Sequence, residues 1–291
     1  TAERLTKLTS DLKRLSGGKL LIAVDQEGGR VQRLKPQYGY SKLPSAQYIG
    51  SVDNPDTTAF YGRLMAKELA EAGVNVNLAP ELDVHRDSCP VIGRFGRAYS
   101  ENPEKVALHA GITIDCLHDK GILAAVKHFP GHGSAMADSH YGLTDVTNTW
   151  SAEELEPFKQ LIDANKVDMV MTAHIFNRQL DADMPATLSH HVLTDILRDS
   201  LGFEGVILTD DMYMQGIIDN YSIEDAVLAA INAGADMLIM GNNISTGFEP
   251  ERPARITEII VNAVKEGKID VQRLVDSNRR INAAISRVSA Q

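Results

Sequence analysis

Apolar residues recur along this chain in two rhythms that alternate. Leu5, Leu8, Leu12 and Leu15 stand at helical spacing and predict an amphipathic helix from Thr1 to Leu15, stopped by Gly17-Gly18. A short apolar run follows, Lys19 to Val24. Next comes a helix from Pro55 to Ala72, with Asn54 as N-cap, Pro55 in its first position and Gly73 as its stop. The run Val74 to Leu78 precedes a helix from Pro103 to Lys120, capped by Asn102 and stopped by Gly121, and Ile122 to Val126 is the next run. Ser151 and Glu154 have capping-box spacing and open a helix to Asn165; Asp168 to Thr172 predicts a strand; Ser189 caps a helix to Leu201. Val206 to Leu208 predicts a strand, Ser222 caps a helix stopped by Gly234, and Met237 to Met240 predicts another strand. Helices from about Pro253 to Glu266 and from Val271 to Val288 close the chain.

The six strand segments are continuous apolar runs, as in strands buried on both faces. Strand–loop–helix units repeat with no low-complexity linker, which predicts one α/β domain over residues 1–291, a parallel sheet covered by helices. A polar residue follows each run: Asp25, Asp83, Lys127 with His128, His174, Asp210 and Asn242. Right-handed crossovers put these ends on one side of the sheet. A barrel gathers them around one mouth, whereas an open sheet spreads them along an edge, so the pattern favours a TIM barrel.

Composition narrows the function classes. The 291 residues suffice for a full core, and the formal net charge of -10 argues against a nucleic-acid partner. No apolar run reaches membrane-spanning length. Cys89 and Cys116 are too few for a disulfide framework or a cysteine-built zinc site and fit a reducing compartment. The expectation is a bacterial cytoplasmic protein. No signal peptide is visible at Thr1, and a secreted or periplasmic location stays open because the natural start need not be Thr1.

The densest chemistry lies in Lys127 to His140, where His128, His132, His140, Lys127 and Asp138 share a Gly-rich loop at a strand end. Asp210, at the tip of Gly205 to Thr209, is the other conspicuous acid; by spacing alone Asp211 is an equal candidate.

The run Lys127-His128-Phe129-Pro130-Gly131-His132-Gly133, then four residues, then Asp138-Ser139-His140, resembles the signature of family 3 glycoside hydrolases, in particular their NagZ-like β-N-acetylglucosaminidase branch. Val24 to Arg30, Leu78 to Val84 and Gly205 to Met212 agree with it, in family order. The resemblance implies a TIM (β/α)8-type barrel. Six strands are visible, so the first two of eight are expected to precede residue 1, and the chain alone should leave two unpaired edges. It also implies a retaining exo-β-N-acetylhexosaminidase acting on terminal β-linked N-acetylglucosamine of peptidoglycan or chitin fragments, with no cofactor or metal, a small-molecule or oligosaccharide substrate, and no nucleic-acid or membrane partner.

Retaining hydrolysis needs a nucleophile and an acid/base on opposite faces of the anomeric carbon. The resemblance assigns the first role to Asp210 and the second to His140 paired with Asp138, an imidazole that titrates near neutrality and is oriented by a carboxylate. The sugar must be held by its hydroxyls: Asp25 can accept from two of them, and Lys127 and His128 can reach the same ring from the next strands, while Arg97 matches the family's substrate-contacting arginine, with Arg94 as a rival. His174 contacts the sugar ring, supports Asp210 or is purely structural; Asp83 is expected to be structural, and Trp150 is expected in the core or at a helix start rather than as a sugar platform. The alternatives are a β-glucosidase or an N-acetylglucosaminide phosphorylase of the same family, a metal-dependent barrel hydrolase using His128, His132, Asp138, His140, His174 and Asp210, and a non-catalytic sugar-binding protein.

Overall fold

The computed structural model describes residues 1–138, 142–242 and 248–289. Six strands, β1 (Ala23–Val24), β2 (Val76–Asn77), β3 (Leu123–Phe129), β4 (Met169–Thr172), β5 (Val206–Asp211) and β6 (Met237–Ile239), form one sheet in chain order. Every pairing is parallel, with Val76 opposite Leu123, Ala125 opposite Met169 and Met169 opposite Val206. The crossover helices start as predicted. Asn54 accepts from Thr57 N–H at 3.0 Å to open Pro55–Glu71, and Asn102 accepts from Glu104 N–H at 2.8 Å to open Pro103–His118. Among the described residues β1 and β6 are the sheet edges and do not pair with each other, so the six strands form an open arc rather than a closed eight-stranded barrel.

Period-two alternation divides the strands between two cores. Ala124, Val126, Val170 and Ile207 pack with Leu69, Ile114, Phe158 and Leu193 of the crossover helices. Val76, Leu123, Ala125, Met169, Met171, Val206 and Leu208 face the other way, against Ile281, Ala284 and Val288 of the last helix, Val271–Ser289. Burial on both faces explains why the runs do not alternate.

Four local expectations are corrected. The run Lys19 to Val24 pairs only over Ala23–Val24, because Asn75 takes over the backbone groups before it: its Oδ1 accepts from Ile22 N–H at 2.6 Å and its Nδ2 donates to the Leu20 carbonyl at 2.9 Å. β3 runs on through Lys127, His128 and Phe129, with a register shift between Val126 and Phe129. Ser151 and Glu154 form no capping box. A short 3-10 turn, Ala152–Leu155, leads into Glu156–Asp163, and the Glu154 carboxylate turns inward to Gly133 N–H at 3.0 Å. The helix after Ser189 is wound wider than an α-helix over His191–Ser200, although Ser189 Oγ still accepts from Val192 N–H at 3.1 Å.

Candidate active site

The carboxyl ends of β1 to β5 converge on one cleft of about 340 Å³, lined by Asp25, Arg97, Lys127, His128, Asp138 and Asp210 among others. In a flat sheet β1 and β5 lie four strand spacings apart, roughly 19 Å. Asp25 and Asp210 can share a cleft only because the sheet curls.

Lys127 is the hub. It is 2% exposed, and its Nζ lies 2.8 Å from Asp25 Oδ1 and 2.7 Å from Glu27 Oε1. Glu27 comes from the hairpin Gln26–Gly28/Val31–Gln32 that follows β1. The tight return requires Gly28: its φ is 101°, and a Cβ there would stand 2.3 Å from the Pro44 carbonyl oxygen. Arg97 grips Glu27 with two bonds of 2.9 Å and also pairs with buried Glu81. Burial alone would raise the Glu27 carboxyl, but Lys127 and Arg97 outweigh it and hold it below the ordinary carboxylate range. Glu81 goes the other way: burial, with Glu27 and Asp83 nearby, exceeds the help from Arg97 and lifts it well above that range. Lys127→Met leaves more buried carboxylate than cation. Urea unfolding is expected to show a loss of about 3 kcal/mol, the low end for breaking a buried pair because Arg97 still compensates Glu27. An unchanged midpoint would mean that the network is not tightly coupled.

Asp83 organises the second layer. Fully buried, it accepts from His128 N–H at 3.3 Å and His132 N–H at 2.7 Å, and its Oδ2 meets His128 Nδ1 at 2.7 Å. Burial would raise its carboxyl; His128 and His132 bring it below its ordinary value. It is structural, as expected, and as a carboxylate it fixes the His128 proton on Nδ1. His132 is buried, and desolvation with His128 alongside lowers it to about 4, so the ring is neutral near pH 7.

The two acids at the end of β5 separate cleanly. Asp210 lines the cleft. Burial would raise its carboxyl, and His174, His128, the Asp211 N–H at 2.8 Å and Lys127 bring it below its ordinary value. Asp211 is spent on backbone: its Oδ1 accepts from Tyr213 N–H at 3.0 Å and Gly241 N–H at 2.8 Å, which ties β5 to the turn after β6. His174 is fully buried and is not among the cleft residues, and its bonds run to the protein rather than to the cleft. Burial lowers its pKa, its Nε2 donates to the Asp211 carbonyl at 3.0 Å, and its Nδ1 meets Thr187 Oγ1 at 2.9 Å.

Asp138 lines the cleft; His140 lies outside the described residues. Arg94 is exposed and is not among the cleft residues, whereas Arg97 is. Trp150 is in the core and donates to the Pro130 carbonyl at 3.1 Å. Sequence reasoning missed Glu27, Glu81 and Glu154, and also the exposed Arg30 stacked 4.0 Å over Phe95 at the rim. Glu27 carried a usable signal, since two residues after Asp25 in an extended segment lies on the same face. A larger depression of about 680 Å³ lies at the other end of the sheet, beside Asp168 and Gly205. Two of its arginines are already committed: Arg198 and Arg273 bind Asp236 and donate to the carbonyls of Phe203, Gly205, Ile231 and Ala235.

Comparison with known proteins bears on this cleft. The profile described as Glycosyl hydrolase family 3 N terminal domain matches residues 2–284. A protein named Beta-hexosaminidase from Tolumonas auensis is 40% identical over 245 residues, covering 82% of this chain and 72% of that relative. The structure of a glycoside hydrolase family 3 beta-N-acetylglucosaminidase from Paenibacillus sp. superimposes with a TM-score of 0.90 at 33% identity, covering 99% of this chain and 54% of that one. Beta-N-acetylhexosaminidase from Beutenbergia cavernae superimposes with a TM-score of 0.84 at 33% identity, covering 98% and 84%. The chain thus spans about half the length of the first of these structures and most of the second.

Proposed function

This chain belongs to glycosyl hydrolase family 3, and on that premise we propose that it is a retaining exo-β-N-acetylhexosaminidase that removes terminal β-linked N-acetylglucosamine from peptidoglycan or chitin fragments. The observation that carries the reading is the shared cleft: Asp210 stands at the end of β5, and Asp25, Lys127, His128, Arg97 and Asp138 line the same walls. Asp25 keeps acceptor capacity for sugar hydroxyls beside its bond to Lys127. Lys127 has three donors, and among the described residues Asp25 and Glu27 account for two. The scaffold of this proposal is a (β/α)8 barrel, in which two further strands would bridge β1 and β6.

In the proposed reaction the Asp210 carboxylate attacks the anomeric carbon while His140, oriented by Asp138, protonates the departing glycosidic oxygen. The covalent glycosyl-enzyme is then opened by water, whose proton passes to His140, and Asp210 leaves as carboxylate. No step draws on a metal. Glu81, Asp83 and His128 lie close enough to form a donor set, but Arg97 pairs with Glu81 and Asp83 already accepts from His128 Nδ1 and two backbone N–H groups. A phosphorylase is the second reading, favoured by exposed Arg30 and Arg33 at the cleft rim, where an incoming phosphate would meet them.

One assay separates these. An aryl β-N-acetylglucosaminide is expected to be turned over far faster than the matching β-glucoside, at a rate unchanged by phosphate or by exhaustive chelation. Faster release with phosphate, together with a sugar phosphate product, would install the phosphorylase. Activity lost to chelator and restored by zinc would overturn the mechanism.

No helix among the described residues is long and apolar enough to cross a membrane.

A further inference from the structure

We propose that Glu154 is a positioning residue for the acid/base loop: by holding the loop at Gly133 it sets where the chain leaves the protein towards Asp138. The inference rests on the reading of Asp138 and His140 as the acid/base pair, and it concerns a residue that neither touches the substrate nor lines the cleft.

The root of the loop is clamped at three points, Pro130, His132 and Gly133. Trp150 Nε1 donates to the Pro130 carbonyl at 3.1 Å, Asp83 accepts from His132 N–H at 2.7 Å, and Glu154 Oε2 accepts from Gly133 N–H at 3.0 Å. There is no slack between the clamps. Gly131 has a φ of 114°, and a Cβ there would lie 2.5 Å from the Glu154 Cβ; a Cβ on Gly133 would lie 1.9 Å from the Val84 carbonyl oxygen. The root is therefore pressed between the chain after β2 on one side and Glu154 on the other. Past it, Ala135 is still fully buried, while Met136 is 60% exposed. Glu154 thus holds the root just before the chain emerges, beside the Ala135 N–H bond to the His132 carbonyl at 3.2 Å, and so helps to fix where the segment towards Asp138 begins.

The choice of residue has a cost that a purely local role does not explain. Glu154 sits where a solvated capping carboxylate would close the helix start, yet it is 2% exposed and turned inward. Burial pushes its carboxyl up to about 7, with Asp83 adding to the rise and Ser134, the Gly133 N–H and Arg86 opposing it. Removing the carboxyl strands a buried N–H, which relaxes by moving the loop. Where a proton must be delivered, misplacement of about 1 Å can cost about 100-fold.

The test compares wild type, Glu154→Ala and Glu154→Gln on aryl β-N-acetylglucosaminides of rising phenol pKa. For Glu154→Ala, kcat/KM on the poorest leaving groups is expected to fall about 10- to 100-fold, with a smaller loss on activated phenols, and azide should accelerate breakdown of the glycosyl-enzyme. Glu154→Gln keeps an acceptor for Gly133 N–H and is expected to retain the wild-type slope. A merely structural glutamate lowers all substrates in parallel and shows no azide rescue; that result overturns the proposal. Should Glu154→Ala fail to fold, Glu154→Asp, which withdraws the oxygen by about 1.5 Å, carries the same comparison. Amide hydrogen exchange at Gly133 to Asp138 reads the clamp without catalysis. Faster exchange in the Ala or Asp variant supports it, and unchanged exchange overturns it. A wild type inactive on N-acetylglucosaminides would instead defeat the functional reading, and the exchange result would still decide the clamp.

Discussion

Asp210→Ala is expected to stop turnover, by on the order of a million-fold, the scale of loss when a covalent nucleophile is removed. Two physical facts stand behind the size of the effect. The carboxyl is held below its ordinary pKa within the cleft although burial works against it, with the Asp211 N–H bond and Lys127 among the groups that lower it. Its direction is set by the backbone it grows from, which His174 pins through the Asp211 carbonyl. Asp211→Ala removes acceptors for Tyr213 and Gly241 N–H but no reacting atom. Its loss is expected to stay near 100-fold, the cost of a displaced nucleophile. Trapping with a 2-fluoro sugar followed by peptide mapping checks the assignment, and a label on Asp211 or any other residue sinks it.

His140→Ala is expected to act in a way that depends on what leaves. An activated phenol departs without a proton, so formation of the glycosyl-enzyme should survive with it. A poor phenol or a sugar alcohol needs its oxygen protonated and should lose about 100- to 10,000-fold, the usual range for general acid–base catalysis. Asp138→Ala should follow the same pattern more weakly, because a carboxylate that only orients and stabilises the imidazolium leaves the proton donor in place. The measurement is kcat/KM across aryl N-acetylglucosaminides of rising phenol pKa for wild type and both variants. Steeper dependence in the variants supports the dyad, and parallel lines would remove His140 from the acid role.

The alternation of strand and helix, the caps at Asn54, Asn102 and Ser222, and the polar residue at each strand end were all legible in the sequence, because each depends on periodicity or on contacts a few residues apart. So were Asp25, Lys127, His128 and Asp210 as a set, through a long motif and strand-end position. Only the tertiary structure distinguished the partners. Lys127 meets Asp25 across 102 residues of chain, and Glu27 meets Arg97 across 70, distances at which no spacing rule operates. His174 and Asp211 stand at strand ends as His128 and Asp210 do, but His174 is fully buried and bonded to the Asp211 carbonyl, and Asp211 accepts from the Gly241 N–H. The sequence by itself therefore determined the order of strands and helices and the kinds of groups at the mouth. The curl of the sheet decided which of those groups meet, and the competition at Glu154 shows why this could not be read earlier. A local cap was available at Ser151, but a buried backbone N–H twenty-one residues away needed an acceptor more, and an unpaired donor out of reach of water costs more than an uncapped helix start that water can satisfy.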